Sequence, residues 1–183
     1  CVIFVRMRNA KESERNKNLA ISGLRYIAGE RRKGKLLDQE VFFAFCNTML
    51  MCSIELMCVN DLGEILLFRR PESDKFYSNQ WHSPGTIFMP KEKISDCIKR
   101  VRDVELRNYR KIGKPVFMGV QEISQGKDKE GKDPRQQVLS LLFVQSVKSN
   151  KQKSRDGEKF FALESIPKDT IGTHKKHLIP FLK

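Results

Sequence analysis

The chain has 183 residues, of which 39% are hydrophobic and 31% are charged, so it can bury one sizeable core but is short for two domains. Lys and Arg total 35 against 22 Asp and Glu, which gives a formal net charge of +13. The richest apolar stretch, residues 41–59, is interrupted by Asn47, Ser53 and Glu55, which excludes a membrane-spanning helix, and the first residues are too brief for a secretory signal.

Residues 1–36 form a basic lead segment, interpreted as an N-terminal extension of a main domain at 37–183. Between Arg6 and Lys35 there are ten basic residues against three acidic ones. The usual interpretation of such a run is a solvated arm. The alternative is an arm that attracts nucleic acid, because clustered Lys and Arg release counterions from phosphates. The same field also steers small anionic nucleotides towards a cleft, so charge alone does not choose.

The first predicted elements are helical and are followed by a hairpin. A short helix is predicted at 17–29, and Asp38 is the predicted N-cap of a second helix that ends near residue 48. Residues 53–59 and 64–69 read as strands, and the turn residues between them indicate a hairpin.

The second half of the chain alternates between strands and helices. After a polar loop and a turn, residues 94–104 carry apolar side chains at helical spacing. Strands flanked by helices predict an α/β fold with a mixed sheet. Two long strands are predicted at 115–124 and 136–147, and a basic loop follows them at 148–157. A last strand is predicted at 158–163 and a terminal helix at 167–182.

The five cysteines do not suggest a disulfide framework. They are odd in number and contain no C-x-x-C pair, which also argues against a zinc site. Cys52 and Cys58 lie in a strand-like run, where they are expected to pack as small hydrophobic residues. A reducing, cytoplasmic location is the natural expectation.

The most informative stretch runs from Trp81 to Glu105. On a helix that starts after Glu92, Val101 and Glu105 share a face, whereas Asp103 points elsewhere. A hard divalent ion such as magnesium needs oxygen ligands, and carboxylates on one helix face can bind it against a diphosphate. Here that face offers Glu105 alone. The alternative interpretation is an ordinary exposed helix glutamate.

The spacing of this stretch resembles the Nudix box, G-x5-E-x7-R-E-U-x-E-E-x-G-U. Counted from Thr86, the positions of Glu92, Arg100 and Glu105 fit without a gap. Thr86 replaces the motif glycine beside a retained Gly85. Two box glutamates and the second glycine are also replaced, by Val101, Val104 and Arg107. The resemblance implies the Nudix α/β/α sandwich with a mixed sheet and a hydrolase that uses Mg²⁺ or Mn²⁺.

Residues 37–45 and 53–70 are similar to the opening of GDP-mannose mannosyl hydrolases, a Nudix branch that also keeps only the arginine and the last glutamate of the helix motif. The branch implies that the carbonyl of Gly85 binds metal and that Arg70 contacts the diphosphate. Ile87 stands where the branch has a second arginine. Its glutamine-histidine pair has no counterpart at 153–158, where Asp156, Glu158 or no residue fills that place.

The resemblance implies a set of candidate residues around a nucleoside diphosphate derivative. Glu92 supports the box loop or a second metal ion, and Glu122 is an extra carboxylate from outside the box. The chemistry of His82 suits a substrate contact, although a structural role is equally favoured. The catalytic candidates are Glu105, Glu92 and Arg100, the substrate contacts Arg70, Arg69 and His82, and the metal ligands Glu105, Gly85, Glu92 and Glu122.

Three functions follow from these observations. The first is a metal-dependent hydrolase of a nucleoside diphosphate derivative, such as a nucleotide sugar. The second is a Nudix-fold module that binds nucleotides or proteins without hydrolysis, because Val101 and Val104 provide no ligands. The third is a nucleic-acid-associated protein.

Two further expectations concern assembly and the terminal histidines. Related proteins often dimerise, so a homodimer is one expected assembly. His174 and His177 are interpreted as surface residues and not as metal ligands.

Overall fold

The computed structural model describes residues 10–33, 35, 37–46, 48–74, 76–124, 127–128, 131–132, 137–149 and 157–182. Most of the predicted basic loop at 148–157 therefore lies outside the described residues, and so does part of the segment between the two long predicted strands. The chain forms two compact units that divide between Phe42 and Phe43. None of the described helices is both long and apolar enough to cross a membrane.

The first unit is helical. The predicted first helix is confirmed as α1 (Ala10–Arg32), which exposes Leu19, Leu24 and Tyr26. The predicted cap is also confirmed, since Asp38 Oδ1 accepts a hydrogen bond of 2.9 Å from the Glu40 amide at the start of α2 (Gln39–Cys46).

The second unit begins with the predicted hairpin, formed by β1 (Met51–Val59) and β2 (Ile65–Arg69). Asn60 Oδ1 accepts hydrogen bonds from the amides of Leu62 and Glu64, and Gly63 adopts a φ of 76°. These are the turn properties for which Asn and Gly are favoured. The hairpin prediction is therefore confirmed.

The remaining elements follow the predicted order. They are β3 (Trp81–His82), β4 (Gly85–Ile87), α3 (Ile94–Val104), β5 (Tyr109–Ser124), β6 (Lys127–Asp128), β7 (Gly131–Lys132), β8 (Gln137–Ser149), β9 (Glu158–Phe161), a 3₁₀ turn (Leu163–Ser165), a π-helical segment (His174–Leu178) and a 3₁₀ segment (Ile179–Leu182). We call residues 174–182 the terminal helix.

Among the boundaries that differ from the prediction, two have a cause in the tertiary structure. Strand β5 starts at Tyr109, six residues before Pro115, because it is an edge strand in which a residue without an amide proton is tolerated. The predicted helix from 167 begins later because the backbone around Thr170 pairs with Trp81 instead. In both cases tertiary pairing overrides a local signal.

The main sheet has the order β3-β2-β1-β8-β5, with β4 also paired to β1 and β9 to β2. Strands β1 and β8 are parallel, and the other neighbouring pairs are antiparallel. The sheet is therefore mixed, as predicted, and β1 lies at its centre.

Strand β1 is buried on both faces. Ile54 and Leu56 pack in one cluster with Val101 of α3, whereas Met57 packs with Leu178 of the terminal helix. Burial of a side chain of this size stabilises the fold by about 1.5–3 kcal/mol. Helices thus cover both faces of the sheet, which confirms the predicted α/β/α fold.

Candidate active site

The backbone at Gly85 is in close contact with β1. Gly85 is paired with Glu55 across the β1–β4 ladder, and the Leu56 amide donates to the Pro84 carbonyl at 2.8 Å. A Cβ atom at residue 85 would lie 2.5 Å from Glu55 Oε2 and 2.8 Å from the Ile54 carbonyl oxygen. Glycine is therefore required here by the space between the strands.

Arg100 fastens the loop between β4 and α3. Its Nε and Nη2 atoms each donate to one carboxylate oxygen of Glu92 at 2.9 Å. Its Nη1 donates to Thr86 Oγ1 at 2.9 Å and its Nη2 to the Ile87 carbonyl at 2.8 Å. Thr86, the residue that replaces the motif glycine, thus takes part in the same network.

The electrostatics of Glu92 follow from this network. Hydrogen bonds from Arg100 lower the pKa of Glu92 to about 2, and the Met89 amide adds a further bond of 2.9 Å. Both carboxylate oxygens of Glu92 accept hydrogen bonds within the loop. This arrangement suits a residue that supports the box loop.

Glu105 has the opposite environment. It lies directly after α3 and is partly buried, and burial raises its pKa to about 7. The Gly85 amide, which hydrogen-bonds to this carboxylate, and the charges of Arg70 and Arg100 oppose that rise. A carboxylate with this pKa changes its charge near neutral pH.

A cleft of about 120 Å³ opens beside Gly85. This is smaller than the 300–1,000 Å³ of a typical small-molecule pocket, so it accommodates part of a nucleotide. Its polar lining comes from β1, β3, β4, β8, the β2–β3 and β3–β4 connections and the terminal helix, and includes Ser53, Glu55, Arg70, His82, Ser83 and His174.

Two of the predicted substrate contacts line this cleft. Arg70 Nη2 pairs with Asp74 at 2.8 Å, whereas the buried Arg70 Nε has no hydrogen-bond partner among the described residues. Burial lowers the pKa of His82 to about 4, so its ring is neutral. Its Nδ1 lies 2.8 Å from the Ser83 carbonyl, which only accepts, and therefore carries the proton. His82 Nε2 is then an acceptor.

The other candidates lie away from the cleft lining. Arg69 pairs with Asp169 at 3.0 Å and stacks over Trp81 at 5.3 Å. Glu122 is exposed on β5 and accepts a hydrogen bond from Gln137. Glu158 accepts one from the Tyr109 hydroxyl at 3.0 Å. Asp156 lies outside the described residues.

The replaced box glutamates do not face the cleft. Val101 is 2% exposed and packs in the core, whereas Val104 is 63% exposed. Asp103 is also exposed and pairs with Lys99. Of the carboxylates in this motif, Glu105 is the one that hydrogen-bonds to the Gly85 backbone.

Three residues of the site were missed by sequence analysis. His174 Nδ1 lies 2.8 Å from Ser83 Oγ, which in turn donates to Glu55 Oε2 at 3.2 Å. The interpretation of His174 as a surface residue is therefore wrong, while the side chain of His177 lies outside the described part of the chain. Glu55 had a recognisable signal, since it is the one charged residue in a largely apolar strand.

The oxygen atoms around Gly85 suit a hard cation. Glu55 packs against Gly85 and Glu105 accepts its amide proton, so two carboxylates contact the same backbone unit. The described residues contain no group of three His, Cys, Asp or Glu side chains ready to hold a metal. Magnesium commonly takes one or two carboxylates and completes its shell with water and substrate phosphates. The donor set therefore fits such an ion.

Comparison with solved structures identifies the fold as the Nudix fold. A mutT/nudix family protein from Listeria innocua has a TM-score of 0.50 at 20% identity, covering 72% of this chain and 90% of that chain. The C-terminal domain of mouse MUTYH, in complex with human PCNA, has a TM-score of 0.53 at 13% identity, covering 73% and 87%. A UDP-X diphosphatase has a TM-score of 0.50 at 14% identity, covering 96% and 82%. No protein-family model and no curated protein matches the chain.

Proposed function

We propose that this protein is a metal-dependent hydrolase of a nucleoside diphosphate derivative, with nucleotide sugars as the first class to test. The observation that carries the proposal is that Arg70 and Gly85 both line the cleft, while Glu105 hydrogen-bonds to the Gly85 backbone and is close enough to Arg70 for the arginine charge to act on it. An acidic group for a cation and a basic group for phosphate are the two requirements of diphosphate chemistry.

The residues of this chain divide the work. Arg70 binds the diphosphate, for which its buried Nε is a suitable donor, since it has no hydrogen-bond partner in the part of the chain that the structure describes. Arg100 and Glu92 keep the loop that follows β4, the strand that begins at Gly85, in place. His82, with its neutral ring, accepts a proton or a hydrogen bond from substrate or water at Nε2.

The cation would be held by Glu105, the Gly85 carbonyl and, from the structure, Glu55. When bound, it would neutralise phosphate charge and favour the departure of the leaving group. A nearby cation also favours the ionised form of Glu105 over the protonated form that burial promotes. Glu92 and Glu122 are the weaker metal candidates, since each carboxylate is already hydrogen-bonded elsewhere.

The choice of substrate class rests on the resemblance to GDP-mannose mannosyl hydrolases. The structural likeness to a UDP-X diphosphatase concerns the fold. The size of the cleft favours binding of one part of the substrate there, and Arg70 in its lining makes the diphosphate the part to expect.

The test is a screen of nucleoside triphosphates, dinucleoside polyphosphates and nucleotide sugars with Mg²⁺ or Mn²⁺. Phosphate, diphosphate and free sugar are measured separately on the wild type, on Glu105→Gln and on Asp103→Asn. The last is a matched control, because Asp103 is an exposed carboxylate of the same motif. Turnover that requires metal and is lost only in Glu105→Gln supports the proposal. Equal, negligible rates in all three proteins contradict it.

A second candidate function is a Nudix-fold module that binds nucleotide or protein without hydrolysis. It is favoured by the positions of Val101 and Val104, which leave α3 with few carboxylates. The mouse MUTYH domain with this fold was solved in a complex with another protein. Calorimetric binding of a nucleotide sugar without turnover would select this function.

Nucleic-acid association through the basic extension is the third candidate. Its test is RNA and DNA binding across a salt series, with and without residues 1–36, since phosphate contacts give a steep salt dependence. Homodimerisation and a cytoplasmic location remain predictions from the sequence.

A further inference from the structure

The segment that leads into Gly85 is held by a part of the chain far along the sequence. The Trp81 amide donates to the Asp169 carbonyl at 3.2 Å, and the Ile171 amide donates to the Trp81 carbonyl at 2.9 Å. Two residues further, the Ser83 amide nitrogen lies 3.3 Å from His174 Nδ1. Two backbone hydrogen bonds and this contact thus join the backbone at 81–83 to residues 169–174.

The contact at Ser83 continues into the cleft. Ser83 is 2% exposed, and its hydroxyl lies 2.8 Å from His174 Nδ1 and 3.2 Å from Glu55 Oε2. A buried hydroxyl and a partly buried carboxylate need such partners, because an unsatisfied polar group away from water is costly. His174 is therefore the end of a hydrogen-bonded chain that fixes the Glu55 carboxylate.

Glu55, which is held by this chain of hydrogen bonds, in turn contacts Gly85. The same Oε2 atom occupies the space in which a side chain at residue 85 would lie, and the two residues are paired across the ladder. The Gly85 amide in turn hydrogen-bonds to Glu105. Movement of Ser83 or Glu55 would therefore shift the backbone on which Glu105 depends.

We propose that His174 is a positioning residue that fixes the Gly85 backbone through Ser83 and Glu55, so that the terminal helix controls the geometry of the candidate active site. This inference rests on the proposed function for its catalytic consequence. Its structural part is independent of any substrate.

The experiment compares His174→Phe with His174→Asn. Phe keeps a planar ring but removes Nδ1, whereas the Asn side-chain amide places a polar atom near the position of Nδ1. Lys176→Ala is the control, because Lys176 is exposed on the same helix. The readouts are the ¹⁵N–¹H resonances of Gly85 and Thr86 and the Kd for Mn²⁺ alone, measured by electron paramagnetic resonance.

We expect His174→Phe to displace the Gly85 resonance and to weaken Mn²⁺ binding about 10-fold, at the lower end of the effect of residues that orient metal ligands. His174→Asn is expected to restore most of both, and Lys176→Ala to change neither. If His174→Phe does not fold, Ser83→Ala breaks the same chain at its centre and should displace the same resonance.

Coincident Gly85 resonances in the wild type and in the His174→Phe or Ser83→Ala variant would overturn the inference. The inference would also be overturned if the Gly85 resonance were displaced as far in His174→Asn as in His174→Phe. That result would mean that His174 only fills space. If the wild type binds Mn²⁺ no better than Glu105→Gln, the proposed function is contradicted instead. The comparison of Gly85 resonances would still decide the positioning role of His174.

Discussion

Glu92 and Glu105 belong to one motif, yet the structure gives them opposite properties. Glu92 lies in a loop where Arg100 lowers its pKa to about 2, whereas burial beside Gly85 raises the pKa of Glu105 to about 7. The two side chains are chemically identical, so the difference in pKa comes from their surroundings. Their environments therefore support the proposal that Glu92 is structural and that Glu105 binds a ligand.

The sharpest way to test this comparison is to remove each charge in turn. For Glu105→Gln we expect a loss of metal-dependent turnover greater than about 100-fold, because a ligand should matter more than the residues that orient it. The fold should persist, since the amide keeps the shape of the side chain. Steady-state rates and circular dichroism measure the two effects, and a rate similar to that of Asp103→Asn would remove Glu105 from the active site.

Gly85→Ala tests the backbone to which Glu105 hydrogen-bonds. The added Cβ would meet Glu55 Oε2 and the Ile54 carbonyl, and we expect a loss of about 1–3 kcal/mol in the free energy of unfolding. Gly172→Ala is the matched control, because a Cβ there meets open space. Urea denaturation of both variants gives the comparison. Equal stabilities would show that the strands separate easily at Gly85.

Arg100→Lys tests the loop network. Lysine cannot make the paired hydrogen bonds to Glu92 or reach Thr86 at the same time, so we expect a loss of about 2 kcal/mol in the free energy of unfolding. Lys99→Ala removes an exposed ion pair on the same helix and should cost less than about 0.5 kcal/mol. Similar losses in both variants would mean that the network is no stronger than a surface pair.

The pH dependence of stability should separate the two glutamates by sign. The lowered pKa of Glu92 contributes stability above its ordinary value of 4.5, and this is lost as the pH falls towards about 2. The raised pKa of Glu105 acts in reverse, so stability falls as the pH rises from 4.5 towards about 7. Shifts of this size correspond to about 3 kcal/mol for each glutamate.

Chemical denaturation between pH 2 and pH 8 measures both contributions. Glu92→Gln should flatten the acidic part of the stability profile, and Glu105→Gln the part between 4.5 and 7. An identical change of slope in the two variants would contradict their division into a structural and a ligand-binding group.

Glu122→Gln should have the smallest effect. Glu122 is exposed on an edge strand and does not line the cleft, so we expect turnover within about two-fold of the wild type and stability within about 0.5 kcal/mol. A large loss of metal affinity in this variant would extend the candidate site to β5.

Local patterns predicted most of the fold. The Asp38 cap, the hairpin around Asn60 and the spacing of α3 depend on neighbouring residues, and all three are confirmed. The late start of the terminal helix depends on pairing with Trp81, ninety residues away, which no local pattern carries.

The same distinction applies to the site. The box intervals predicted that Glu92, Arg100 and Glu105 would be neighbours in one motif, but not that the pKa values of the two glutamates would diverge. That divergence depends on how deeply each side chain is buried. His174 was missed because its partner, Ser83, is distant in the sequence and carries no charge.

The attachment of residues 169–174 to Trp81 and Ser83 also has a consequence for biosynthesis. These residues follow every strand of the sheet in the chain, so a ribosome completes the whole motif long before it adds them. Until then Ser83 lacks His174 and the cleft lacks one wall. The site is therefore assembled last. A nascent chain that stopped after β9 would carry the motif without residues 169–174, which hold Trp81 and Ser83 in place.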